Sequence, residues 1–459
     1  MRAVVCERLG DPVSPPPNEN GAALRVSADA APRPPAGRPP AGHVRVRISA
    51  ASLNFADLLQ VAGKYQDRPP LPFIVGSDFS GVVIEAGDGV PAELSAPGAR
   101  VCGVAANKAF AEEAIVPAAG LWALPDSLSD LHAAAGIPVA FGTADLALRH
   151  RAGLRAGQTL LVLGASGGVG AAAVQIGVLL GARVVAVARG PDKARFLRDV
   201  LGAHAVVDTA ALAGEAGKAG EADERALGAA FRAALAEAMA GASVQAPTGS
   251  EGPGPGPSSG GGAGGGKTRR RRRPHPPTAD VVLDSVGGAQ FGAALRCASW
   301  GAQLLSVGFA SGAIPHVPAN LLLVKNATLH GVFWGAHLSS PAAGPEAAAV
   351  LRASVSRVLG WAAEGKLAVH AEARFPLERV GDAAALMAGR GVTGKVLLVV
   401  SSEAEARAAA AAEGKGGAAV DAAGGGGGKR RVAADADAAG GGEGAPLLGG
   451  PPPYPRSRM

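Results

Sequence analysis

The sequence predicts an α/β protein in two parts, a small β-rich domain followed by a doubly wound parallel sheet. Three observations carry that expectation. Residues 43–49 alternate Val44, Val46 and Ile48 with Arg45, Arg47 and Ser49, the period-two pattern of a strand with one buried face. From Thr159 an apolar run reaches Leu163, a glycine turn follows, and a helical pattern carries Val174, Ile176, Leu179 and Leu180 into a second apolar run at 183–188. Short apolar runs then recur at 205–208, 280–283 and 303–307, and parallel strands buried on both faces and joined by crossovers are the economical way to use them.

In chain order, the opening residues MRAVVCERLG alternate like a first strand and lack the long apolar core of a secretory signal, so secretion is not expected. Segments 79–85 and 99–104 are short, β-rich and bounded by Gly or Pro, as strands of the first domain should be. Residues 32–42 read as a Pro-rich linker. Residues 355–364 have helical spacing, and 394–400 reads as a final strand that returns to the first domain. The expected organisation is a first catalytic part at 1–137, a nucleotide domain at 138–312 with an insertion at about 241–278, a return to the catalytic domain at 313–400, and a disordered tail at 401–459.

Composition sets outer limits. The chain has 459 residues, of which 68 are Gly and 35 Pro, clustered in blocks that cannot build a packed core. Cys6, Cys102 and Cys297 are scattered, which excludes a disulfide framework or a Cys-x-x-Cys metal site and fits a reducing, cytoplasmic setting, with an organelle left open. The charge-free stretch 159–182 is long enough to span a membrane, but Gly164, Gly167, Gly168 and Gly170 interrupt it; a strand, turn and helix explain it better than a membrane segment. The formal net charge of +6 is largely local to Lys267 and the run Arg269 to Arg273. Such a run can bind polyanions through counterion release, which gives one alternative, a nucleotide-sensing RNA-binding protein. With no aromatic residue interleaved for base stacking, a solvated loop is the preferred reading.

The strongest motif is Gly164-Ala165-Ser166-Gly167-Gly168-Val169-Gly170, set between an apolar strand and an apolar helix. Glycines there let the backbone approach a pyrophosphate seated at the positive start of the helix. Where NAD-binding chains place an acid about twenty residues on, this chain has Arg189 and Lys193, cations suited to a 2′-phosphate. NADPH is therefore expected over NADH.

Ser52-Leu53-Asn54-Phe55-Ala56-Asp57, then Gly63-Lys64-Tyr65-Gln66, then Pro72 to Gly81 with Gly76-Ser77-Asp78, resemble the front end of zinc-free quinone oxidoreductases of the medium-chain dehydrogenase/reductase superfamily. Agreement continues at 138–143, 164–170, 284–288, 317–326 and 393–398. The resemblance implies a GroES-like β-rich catalytic domain joined to a Rossmann doubly wound parallel sheet, with NADPH between them. Zinc-containing relatives carry Cys or His ligands where this chain has Asn54 to Asp57 and Ser77-Asp78, so no metal is expected. Carried over by position, Asn54 and Tyr65 line the nicotinamide and substrate pocket, and Thr143 supplies a hydroxyl beside the nicotinamide. Gly167, Gly168, Val169 and Gly170 hold the pyrophosphate, with Gly164 and Ser166 in the same turn. Lys193 and Arg390 stand by the adenosine phosphate, and Gly287, Gly308 and Phe309 fall at ligand-facing strand ends. Arg189, which replaces a small residue, Asp208 and Leu59 depart from the pattern. Each side chain also has an ordinary reading: Asn54 as a turn residue, Tyr65 as a partly buried aromatic, and Phe333 and Trp334 as core rather than substrate mouth. Quinone reduction is the expected activity, with reduction of an enone, 2-alkenal or enoyl thioester as the alternative, and a homodimer paired through the nucleotide domain is implied.

Overall fold

Alternation along the early strand holds only for its first half. In the computed structural model, which describes residues 1–13, 24–27, 37–210, 221–240, 277–371 and 373–408, β3 runs His43–Leu53 and is buried on both faces beyond Arg47. Small side chains allow this: Ala50 packs with Ala135 and Leu397 in a minor cluster of its own. The first strands are β1 (Ala3–Cys6), β2 (Leu24–Ser27) and β4 (Phe73–Ile74), which form a small antiparallel sheet with β1 in the middle. The main catalytic sheet adds β5 (Asp78–Ala86), β6 (Arg100–Val104), β7 (Glu113–Pro117) and β8 (Leu121–Ala123) to β3.

The second sheet has six parallel strands in the order β11-β10-β9-β12-β13-β14. They are β9 (Thr159–Leu163), β10 (Arg183–Ala188), β11 (Ala205–Asp208), β12 (Ala279–Asp284), β13 (Ala298–Ser306) and β14 (Thr328–Gly331). Successive residues feed opposite faces. Leu160, Val162, Val184, Ala186, Val281 and Leu283 belong to one core, and Leu161, Leu163, Val185, Val187 and Val282 to the other. A fully buried leucine in either contributes roughly 2–3 kcal/mol. Two late strands, β15 (Ala373–Pro376) and β16 (Val396–Val399), leave this domain and join the catalytic sheet, where β16 pairs with the end of β3.

Several boundaries differ from the sequence reading. β13 starts at Ala298 rather than at 303, because a register shift opposite β12 and Gly301 at φ +79° let the strand bend before it straightens. The helix expected at 355–364 spans Gly344–Ala363; its first turns are alanines, which give no apolar period to read. The helix Glu221–Ala240 was not anticipated, and it lays Phe231, Leu235 and Ala238 on the sheet. The tail reading is also corrected at its start. Ser402 and Glu405 exchange main-chain amides, at 3.2 Å and 2.8 Å, as a capping box, and Ala406 is fully buried. The arginine run, most of the 241–278 insertion and residues 409–459 lie outside the described residues.

Candidate active site

The glycine turn stands where the strand order reverses, between the carboxyl ends of β9 and β12, the place where open α/β sheets bind ligands. Gly164 has φ +68°, and a Cβ on it would lie 2.7 Å from Ser285 Oγ; one on Gly170 would lie 2.2 Å from the Gly164 carbonyl oxygen. The helix Gly168–Leu179 starts from Gly167 with no side-chain cap, and its first internal bond closes from the Ala171 amide to the Gly167 carbonyl at 2.7 Å. The amides of Gly168, Val169 and Gly170 have no helical acceptor, and with Ser166 they form a cradle that fits a diphosphate.

At the end of β12, buried Asp284 accepts the amides of Val286 at 2.8 Å and Gly287 at 2.9 Å. Burial raises its carboxyl and those amides pull it back, so it fastens the loop. Gly287, at φ +75°, passes so close to the Ala313 carbonyl that a Cβ would sit 2.6 Å from it. Gly308 and Phe309 follow β13, half-exposed at the same edge.

Beyond β10 the charges of Arg189 and Lys193 act on each other, and Arg390 meets Lys193 through its main chain. Lys193 Nζ donates to the Arg390 carbonyl at 2.5 Å, and the Arg390 guanidinium donates to the Ala310 carbonyl at 3.2 Å. Partial burial, then the charge of Arg189, hold the Lys193 ammonium below its ordinary range. Asp208 stands in the same region, its Oδ1 accepting the amides of Gly190 at 2.7 Å and Ala210 at 2.8 Å.

On the catalytic sheet, Asn54 is the N-cap of the helix Phe55–Val61, so its turn role is real. Its main-chain amide donates to Asp57 at 2.7 Å, and its side-chain oxygen accepts from Lys395 Nζ at 2.7 Å. Lys395 is 4% exposed, and Asp57 and Asp78 are fully buried. Ser77 donates to Asp57 at 3.2 Å, and the Asn54 side chain and the Val139 main chain face Asp78. Burial pushes Asp57 up to about 6 against its amide bonds and the Lys395 charge. It pushes Asp78 up to about 7, with the Lys395 charge opposing and the Asp57 charge adding to the rise. Desolvation lowers the Lys395 ammonium, and the two carboxyls resist that.

Lys395 stands at the crossing between the two sheets. The Gly394 amide donates to the Ser166 carbonyl at 2.8 Å and the Lys395 amide to the His370 carbonyl at 2.7 Å, after which β16 begins. A Cβ on Gly168 would lie 2.8 Å from Lys395 Cδ, so the bare glycine makes room for the lysine stem. Tyr65 is half-buried and meets Phe333 edge to face, with centroids 6.3 Å apart. Burial and then the Asp57 charge raise its phenol. Phe333 is 44% exposed, whereas Trp334 is 6% exposed and packs at Gly142; the pair divides between mouth and core. Thr143 is 3% exposed in the helix Gly142–Asp145, one turn beyond Ala140.

The structure thus joins Asn54 to a buried triad that the sequence reading does not assign. A signal was present: Asp78 and Lys395 are charges placed directly against the apolar runs of β5 and β16. Among the described residues, no three His, Cys, Asp or Glu side chains converge as a metal site, and at the place where a ligand set would be sought, an ammonium is already seated.

A fold of this kind, with such a cleft, defines a nicotinamide-dependent oxidoreductase. The chain belongs to the medium-chain dehydrogenase/reductase family, in its quinone oxidoreductase-like branch. Residues 40–126 match the family model described as alcohol dehydrogenase GroES-like domain, and residues 267–398 match that described as zinc-binding dehydrogenase. The quinone oxidoreductase-like protein 2 homolog of Nematostella vectensis is 33% identical over 400 residues, 86% of this chain and 88% of that protein. A highly reducing polyketide synthase of Arthrinium phaeospermum is 38% identical over 159 residues, 35% of this chain and 6% of that protein. The solved Escherichia coli quinone oxidoreductase complexed with NADPH superposes with a TM-score of 0.64 at 20% identity, over 87% of this chain and all of that one.

Proposed function

We propose that this chain reduces quinones with NADPH and without zinc. The observation that carries the cofactor choice is the pair of cations Arg189 and Lys193 at the end of β10, with Lys193 tied to the Arg390 main chain and Asp208 to main-chain amides. The phosphorylated cofactor would lie with its diphosphate on the amides of Gly168, Val169 and Gly170 and its 2′-phosphate among those cations. When bound, it supplies the hydride. The residues of the chain then do the remaining work. Tyr65, half-buried against Phe333, offers its hydroxyl to the acceptor oxygen, Asn54 lines the pocket beside it, and Thr143 packs the cofactor side. The zinc implied by the family description does not fit the donor set of Asn54, Asp57, Ser77 and Asp78 around a lysine ammonium, and no step is routed through a metal.

A second acceptor class has support from the polyketide synthase likeness: an enone or α,β-unsaturated thioester, also flat and conjugated. Steady-state NADPH oxidation against a quinone panel beside an enone panel separates the two. Turnover with quinones is expected, and turnover with enones alone would replace the first reading. We also propose pairing with a second copy along β14, an edge strand flanked by exposed Ile314, Leu323, Val324 and Leu329. Light scattering is expected to give twice the chain mass, and Leu329→Lys to lower it; a monomeric wild type would remove the pairing.

A further inference from the structure

We infer that Lys395 is a positioning residue that sets the spacing between the diphosphate turn and the acceptor pocket, and with it the distance over which hydride passes. This rests on the reading of that turn as the seat of NADPH and of Asn54 as part of the acceptor's wall. The stem of the lysine lies against two bare glycines. A Cβ on Gly168, the first residue of the helix Gly168–Leu179, would stand 2.8 Å from Lys395 Cδ, and one on Gly136 would stand 3.2 Å from Lys395 Cγ. The ammonium at the end of that stem donates to Asn54 Oδ1 at 2.7 Å and reaches the Leu53 carbonyl at 3.5 Å. One side chain thus touches the start of the diphosphate helix with its methylenes and the end of β3 with its head.

The main chain makes the same link. Gly394 donates to the Ser166 carbonyl and bridges in parallel to Gly167, the Lys395 amide is tied to the His370 carbonyl, and the next residue, Val396, pairs with Leu53. Two turns along the diphosphate helix, Gln175 exchanges bonds with the Ala368 main chain at 2.9 Å and 3.1 Å. The far part of that helix is therefore anchored without the lysine, and its start is left to Lys395. An apolar side chain could fill the space beside the two glycines but could not grip Asn54. The buried carboxyls of Asp57 and Asp78 favour the charged form that does. Hydride transfer is steep in distance, so a misplacement of about 1 Å can cost on the order of a hundredfold.

Two variants of the full chain separate stem from head. Lys395→Ala removes both, and Lys395→Met keeps most of the stem. Each is expected to lower kcat about tenfold or more with the acceptor that the wild type turns over, while the Kd for NADPH changes less than about threefold. The primary isotope effect on kcat, with NADPH deuterated at the transferred position, should rise in both. A lower kcat with the isotope effect unmoved would reduce the lysine to a prop of the fold and overturn the inference. So would an NADPH Kd weakened more than about tenfold in Lys395→Met, which would make the ammonium a ligand of the diphosphate. If either variant does not fold, Asp78→Asn is added to it. Amide exchange, read without cofactor or acceptor, keeps the test separate from the proposed activity. The amides of Gly394 and Ala171 should exchange at least about tenfold faster in Lys395→Ala than in the wild type, and that of Asn54 in Lys395→Met. Equal rates in the three proteins, or a uniform rise along the chain, would sink the spacer role whatever the enzyme reduces. A wild type that reduces no acceptor while these rates shift as expected would support the spacer and count against the proposed activity.

Discussion

The two charged groups of the cleft differ in what surrounds them. Beyond β10, Arg189 and Arg390 are exposed and Lys193 half-buried; under the catalytic sheet, Asp57, Asp78 and Lys395 are almost wholly removed from solvent. Cations in water cost little to maintain, are screened by salt, and gain most of their value when a polyanion arrives. Buried charges carry a desolvation penalty all the time, and they persist where geometry repays it. The first group faces solvent, and the second is bonded to Asn54 within the fold.

The largest effect should come from the turn between them. Gly170→Val places carbon against the Gly164 carbonyl, 2.2 Å from where a Cβ would stand. Fluorescence titration should show NADPH affinity reduced at least about a hundredfold, roughly 2.7 kcal/mol; unchanged affinity would mean that the cradle is not used.

A smaller effect isolates the buried group. Asp57 and Asp78 titrate upward, to about 6 and about 7 from 3.8. Between pH 4 and 7 the folded chain therefore holds protons that the unfolded chain releases, and stability from these carboxyls is present at the acid end and lost as pH rises. In denaturant melts the wild type should lose on the order of 2 kcal/mol across that window relative to Asp78→Asn. Parallel pH profiles for the two proteins would show that Asp78 is not perturbed. The least change is expected at the exposed end, where Lys193→Ala should weaken NADPH about tenfold, roughly 1.4 kcal/mol, and leave NADH alone. An equal loss for both nucleotides would assign the lysine to general attraction.

How much was legible follows the same division. β9, its glycine turn and β10 announce themselves locally, since apolar runs on either side of closely spaced glycines have few other uses. Arg189 and Lys193 were noticed because they follow directly on the end of β10, and Asn54 and Tyr65 because short motifs carry them. Lys395 and Asp78 were not assigned, because they lie 317 positions apart and meet only when β16 returns to β3. The capping box at Ser402 was readable and overlooked beside the low-complexity run that follows. Phe333 and Trp334 are adjacent aromatics that differ in burial, 44% against 6% exposed, and no local pattern reports which is which.

The most direct test of the whole account is a side-by-side titration of the purified chain with NADPH and NADH at one ionic strength. Binding of NADPH tighter by about a hundredfold, roughly 2.7 kcal/mol, is the expected result. Equal affinities, or a preference for NADH, would contradict it.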